Sequence, residues 1–282
     1  MRILATFLLL AVTLASGESL RIDNPEIVEF PSGNIQLKAF LWRPSGAGPF
    51  PAVLCNHGSG GPDALHTSGM TMREAAETLG PVFVKHGYVF LFPCRRGQGL
   101  SADQGRFIQD ALNEEEKDKG SDARQKLQLA LMAGPQLDDT LAALSFLKTR
   151  AGVDSHRIAV IGHSFGGQLT ILDAEHDRDL RAVVTFGAAA NSWAKTPELR
   201  SRLLTAIDNV AVPVMLIHAA NDYDTSPGRD LATELQRHQK RHILKIYPAV
   251  GETPDDGHSQ VYRAVPQWET DVFGFLDANL RP

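Results

Sequence analysis

Ile158-Ala159-Val160-Ile161-Gly162-His163-Ser164-Phe165-Gly166-Gly167 is the stretch on which the reading of this chain turns. Arg157 to Gly162 has the continuous apolar character of a buried strand, and 165–175 suits a helix. A serine between them, with glycine two residues to either side, marks a sharp strand-to-helix turn. Such a turn forces an unusual backbone angle on Ser164, and side chains at 162 and 166 would crowd it. The turn also sets the Ser164 hydroxyl at a helix N-terminus, whose partial positive charge favours a developing anion. A glycine-rich turn can do nothing but pack. The strand before it and the helix after it are the context of a nucleophile elbow.

Working outward, strands and helices alternate from residue 51 on. Pro51 to Asn56, Tyr88 to Phe92, Arg181 to Phe186, Val212 to Ile217 and Ile243 to Tyr247 read as further strands. Helices are expected at 71–86, with a break or kink at Leu79-Gly80-Pro81, and at 136–151, 228–239 and 262–279. Residues 26–43 read as a hairpin. The order predicts an α/β fold: a mostly parallel sheet of about eight strands, helices on both faces, and an antiparallel hairpin at its start. The beat breaks once, at about 100–135, where Asn113 to Lys119 is dense in charge. Such a run is a solvated helix face or a flap over a cleft. No linker interrupts 18–282, so one domain is expected.

A serine hydroxyl needs a base, and the base an orienting acid, which in this fold order follow the serine. Just past the strand at 212–217, Asp222 and Asp224 both qualify as the acid. Asp222 is preferred, because Asp224 suits a role at the start of the next helix. The base is assigned to His258, in the loop Pro254 to Ser259, in preference to His238 and His242, which flank a helix end. Oxyanion donors are expected from the backbone N–H of Phe165 and from the loop His57-Gly58-Ser59-Gly60-Gly61, at Ser59 or alternatively Gly60. No Lys-Ser or Lys-Thr follows that loop, which excludes a phosphate loop. Arg95 and Arg96 either bind a substrate carboxylate or pin the loops around them.

The 282 residues carry a net charge of -5 and no basic block, which argues against nucleic acid. Met1-Arg2 leads into an apolar run, Ile3 to Leu14, and then Ala15-Ser16-Gly17. That is the pattern of a signal peptide over 1–17, cleaved after Gly17, and implies a secreted or periplasmic protein. Twelve residues cross only about 18 Å as a helix, too short for a membrane anchor. Cys55 and Cys94 are expected as buried thiols, with a bridge as the alternative. The 10 histidines are scattered, so no metal site is expected.

Together His57 to Gly61, Arg95-Arg96-Gly97-Gln98-Gly99, Leu137-Asp138-Asp139, Gly162 to Gly167, Asn221-Asp222-Tyr223 and Asp256-Gly257-His258-Ser259 resemble the dienelactone hydrolase-like α/β-hydrolases. The chain is also similar to the catalytic domain of prolyl oligopeptidase-type enzymes. The resemblance covers about 30–280. It implies a triad of Ser164, Asp222 and His258, with no metal and no organic cofactor. Dienelactone hydrolase proper uses a cysteine where this chain has Ser164, so its substrate does not carry over. No propeller is present to screen peptides, and 190–211 is too short for a large cap. The expected activity is a serine carboxylic-ester hydrolase working on a small-molecule ester through an acyl-enzyme. The alternatives are a peptidase or acyltransferase on the same triad, or a non-catalytic binding protein on this scaffold.

Overall fold

The computed structural model describes residues 24–60 and 68–281; the expected signal peptide lies outside them. One eight-stranded sheet runs in the order β1-β2-β4-β3-β5-β6-β7-β8. The strands are β1 (Glu26–Ser32), β2 (Ile35–Trp42), β3 (Phe50–Asn56), β4 (Val89–Cys94), β5 (Val153–His163), β6 (Ala182–Phe186), β7 (Val214–Ala219) and β8 (His242–Tyr247). β1 pairs antiparallel with β2, and β2 antiparallel with β4. All other neighbours are parallel. The expected sheet and its N-terminal hairpin are both present.

Parallel strands joined by helices are covered on both faces, so their residues feed two cores in alternation. In β3, Ala52 and Leu54 join one core, and Val53 and Cys55 the other. The first core packs under α4 (Leu137–Lys148), α5 (Phe165–His176), α6 (Pro197–Asn209) and α7 (Ser226–Arg237). The second packs under α1 (Met72–Lys85) and α10 (Val265–Leu280). Burying each large side chain contributes about 1.5–3 kcal/mol. Cys55 and Cys94 are free and buried in the second core. Burial pushes both thiols up, that of Cys94 to about 11. The bridge is therefore not made.

Three local expectations are corrected. α1 continues through Gly80-Pro81. The Gly80 position instead lets the helix sit against the Trp42 indole, where a Cβ would collide. α6 forms in 190–211, where the sequence reading assigned no helix. Its Leu199, Leu203, Ala206 and Ile207 make one buried stripe. The segment around His258 is a one-turn helix, α8 (Pro254–His258), rather than a loop. Thr253 caps it, in a reciprocal box with Asp256. A short helix, α9 (Gln260–Arg263), then leads into α10.

The insert is a helical hairpin, α2 (Ile108–Lys119) and α3 (Ser121–Leu131), turned at Gly120 with φ 86°. Five residues of π-helix, Met132–Gln136, join it to α4. Ile108 and Leu112 anchor it in the first core. Its charges pair largely among themselves, as Lys119–Glu115 and Arg124–Glu116 do, each at 3.1 Å.

Candidate active site

The C-terminal ends of β5, β6 and β7 meet at one edge of the sheet, the place where parallel α/β sheets expose ligand sites. Ser164 stands between β5 and α5 with φ 55° and ψ -118°, a strained conformation for a residue with a side chain. Its N–H donates to the Phe186 carbonyl at 2.8 Å, which fixes the turn to β6. A Cβ at Gly166 would run into the Asn56 and His57 carbonyls, so only glycine lets α5 start this close to β3.

Ser164, His258 and Asp222 form a continuous hydrogen-bonded row. Ser164 Oγ lies 2.8 Å from His258 Nε2, and His258 Nδ1 lies 2.7 Å from Asp222 Oδ1. Asp222 comes from the loop after β7 and His258 from α8. Asn221 ties these two segments together: its amide donates to the Val250 and Thr253 carbonyls, and its Oδ1 accepts the Val250 N–H, all at 2.9 Å. Burial works against the charge on Asp222. Hydrogen bonds from His218 and His258 outweigh it and hold the carboxyl below the usual carboxylate range. An ionised acid fixes Nδ1–H on His258 and leaves Nε2 free to accept the serine proton.

The alternatives lie elsewhere. Asp224 accepts from the Ser226 N–H and hydroxyl at the start of α7, at 2.8 and 2.7 Å. His238 pairs with Asp208 and Glu234, and His242 with the Lys240 carbonyl. Phe165 is the first residue of α5, so its N–H has no partner within the helix. Ser59 lines the cleft beside Ser164; Gly60 does not.

Arg95 and Arg96 resolve to the loop-pinning reading, and the substrate-binding reading is corrected. Arg95 is 1% exposed and spends its donors on the His57 and Gly58 carbonyls, at 2.9 and 3.1 Å, and on Gln136 at 3.0 Å. Burial lowers its pKa to about 10, which leaves it charged at neutral pH. Arg96 binds both oxygens of the buried Asp139, at 2.7 and 2.9 Å. Buried cations need such saturation, and little remains for a ligand. Neither side chain lines the cleft.

Two histidines escaped the sequence reading. His218, at the end of β7, donates from Nδ1 to the other Asp222 oxygen at 2.8 Å. His163, inside the elbow motif, holds the backbone of the base: its Nε2–H donates to the His258 carbonyl at 2.8 Å. Burial and the charge of neighbouring His258 push the His163 pKa down to about 3, so it stays neutral. The signal for His218 was its place four residues before Asp222 on a strand that ends at the same edge. His163 carried none beyond adjacency to the serine.

A cleft of about 730 Å³ opens over Ser164. α5, the segment after β6 and the α2–α3 hairpin line it, through residues such as Gln168, Asn191 and Gln128.

Comparisons with known proteins agree with this architecture. The chain is 28% identical over 161 residues to the quorum-quenching protein AidA of Acinetobacter baumannii, covering 57% of this chain and 43% of that protein. It is 22% identical over 224 residues to a Synechocystis protein provisionally named carboxymethylenebutenolidase, covering 79% and 82%. Among solved structures, Pyrococcus horikoshii acylaminoacyl peptidase superposes with a TM-score of 0.64 at 18% identity, over 92% of this chain and 41% of that one. Est1E from Butyrivibrio proteoclasticus, solved with ferulic acid bound, gives 0.64 at 17%, over 90% and 100%. This chain thus spans less than half the length of the Acinetobacter protein and of the peptidase. The superpositions establish the α/β-hydrolase fold. The sequence model of the dienelactone hydrolase family matches residues 37–264, from β2 to the start of α10, and the chain belongs to that family.

Proposed function

We propose that the protein is a serine carboxylic-ester hydrolase that acts on a small-molecule ester through an acyl-enzyme on Ser164. The observation that carries this reading is the row from Ser164 Oγ through His258 to an ionised, buried Asp222. His258 Nε2 takes the hydroxyl proton as Oγ attacks the ester carbonyl carbon. The imidazolium that forms faces Asp222. The tetrahedral oxyanion accepts hydrogen bonds from the backbone N–H groups of Phe165 and Ser59; losing one such donor costs about 3 kcal/mol of transition-state stabilisation. Collapse expels the alcohol, which leaves with the proton from Nε2. Water then attacks the acyl-enzyme by the same path, with His258 as base, and frees the acid and Ser164.

The test is intact mass after a fluorophosphonate probe, alongside p-nitrophenyl acetate turnover, for the wild type and Ser164→Ala. A single adduct on Ser164, with turnover down by at least about 10⁴-fold in the variant, is the expected result. No adduct and equal background rates in both proteins would sink the reading and leave a binding role. We also propose export, on the basic start, apolar run and small residues at Ala15 and Gly17. N-terminal sequencing of the mature protein should begin at Glu18.

A further inference from the structure

Gln168 lies one helical turn past Ser164 on α5, lines the cleft and is 3% exposed. Its amide Nε2 donates to Ser192 Oγ at 3.3 Å, and that hydroxyl in turn donates to the Ala189 carbonyl at 3.4 Å. This chain of donors fixes the carboxamide, leaving Oε1 as its free end. Oε1 is buried and finds no donor among the described residues. A buried acceptor without a partner costs stability, so such atoms are rare and call for an explanation. Beside the reacting serine, a substrate donor supplies one.

The rest of the cleft narrows what that donor is. Gln125 and Gln128 on α3, and Asn191 after β6, add carboxamides, each holding both donor and acceptor atoms. An alkyl chain laid over them would strip their hydration and return nothing. A strongly anionic group would meet Glu116 and Asp255 as well as Arg124 and Lys195. A hydroxyl both donates and accepts, which suits carboxamides on three sides.

We propose that Gln168 is a specificity-determining residue that accepts a hydrogen bond from a substrate hydroxyl, and that the cleft takes compact esters of hydroxylated compounds rather than alkyl esters. This rests on the serine-hydrolase reading above and adds its substrate class. A site built to bond a hydroxyl discriminates against the analogue lacking it far more than a hydrophobic pocket discriminates a methylene.

Two matched pairs test it by acid release in a pH-stat. Methyl lactate against methyl propionate places the hydroxyl on the acyl side; 2-hydroxyethyl acetate against propyl acetate places it on the alcohol side. In at least one pair, kcat/KM for the hydroxylated member should exceed its deoxy partner by at least about tenfold. Gln168→Met keeps the length of the side chain and removes the acceptor; it should bring that ratio below about threefold. Fluorophosphonate labelling of Ser164 in both proteins reports that the fold and the nucleophile are intact. Deoxy partners cleaved as fast or faster in both pairs, by a wild type that labels, would overturn the proposal, as would a ratio unchanged in Gln168→Met. A wild type that does not label would overturn the serine reading, and this one with it.

Discussion

Around Ser164, both oxygens of Asp222 and both ring nitrogens of His258 have partners. Across the cleft, no residue of α3 is fully buried, and its glutamines present amides to the opening. One side is a closed polar network built on strand ends. The other is a helical wall with hydrogen-bonding capacity to spare. In a low-dielectric surround a satisfied network holds one geometry, and an unfilled one is costly. Half-exposed groups on a hairpin carry little of that cost. The chemistry is thus held by saturation, and recognition is left to the side that remains open.

That contrast breaks if the buried network proves soft. The largest stability effect is expected at Asp139, which holds Arg96 and also accepts from the Ser32 hydroxyl at 2.7 Å. Asp139→Ala should lose about 3 kcal/mol in denaturant unfolding, because it strands a cation and a hydroxyl together. Next comes His218. With leucine there, Asp222 keeps one oxygen buried and unbonded. The kcat should then fall about 10–100-fold, with His218→Asn, whose amide can reach the same oxygen, recovering most of it. A uniform loss in both variants would mean that His218 only fills space.

Asp173 sharpens the comparison through pH. Burial pushes its carboxyl up to about 7, against lowering by hydrogen bonds from Thr140 and Asn56. The folded chain therefore holds a proton that the unfolded chain releases between the ordinary carboxylate range and 7. Stability from this group falls as pH rises through that window and is level above it. Melting curves from pH 4 to 8 should lose part of their slope in Asp173→Asn. The smallest effect belongs to the hairpin: Glu115→Ala, which breaks the exposed pair with Lys119, should change stability by less than about 0.5 kcal/mol.

The sheet order and the meeting of Ser164, Asp222 and His258 were legible because both follow from where strands end. Each of those residues sits just past an apolar run, and parallel strands bring such positions to one edge. What escaped was set by contacts between distant segments. Gly80-Pro81 looks like a helix stop, yet the Trp42 ring decides the glycine there. Pro254 to His258 looks like a loop because proline, glycine and two aspartates weaken helix propensity. The Thr253–Asp256 box overrides them for one turn. The α6 stripe had helical spacing and was readable. Arg95 and Arg96 were not, since a guanidinium that pins and one that binds have the same sequence. Gln168 was hidden for the same reason: nothing in the chain's order says that Ser192 would occupy one end of its amide and leave the other open.

Arg95 and Arg96 have one more consequence. Both lie just before the excursion that carries the hairpin, and they close on Gln136 and Asp139, just after it. The chain leaves the sheet and returns to it through a single stitched neck. Whatever grows beyond that neck hangs from a fixed frame, like an interchangeable fitting on a common mount. Residues between 108 and 131 can change in sequence, or in length, without moving the His57–Gly58 carbonyls that Arg95 grips. Evolution, or an engineer, can therefore revise what this enzyme admits while leaving untouched how it reacts.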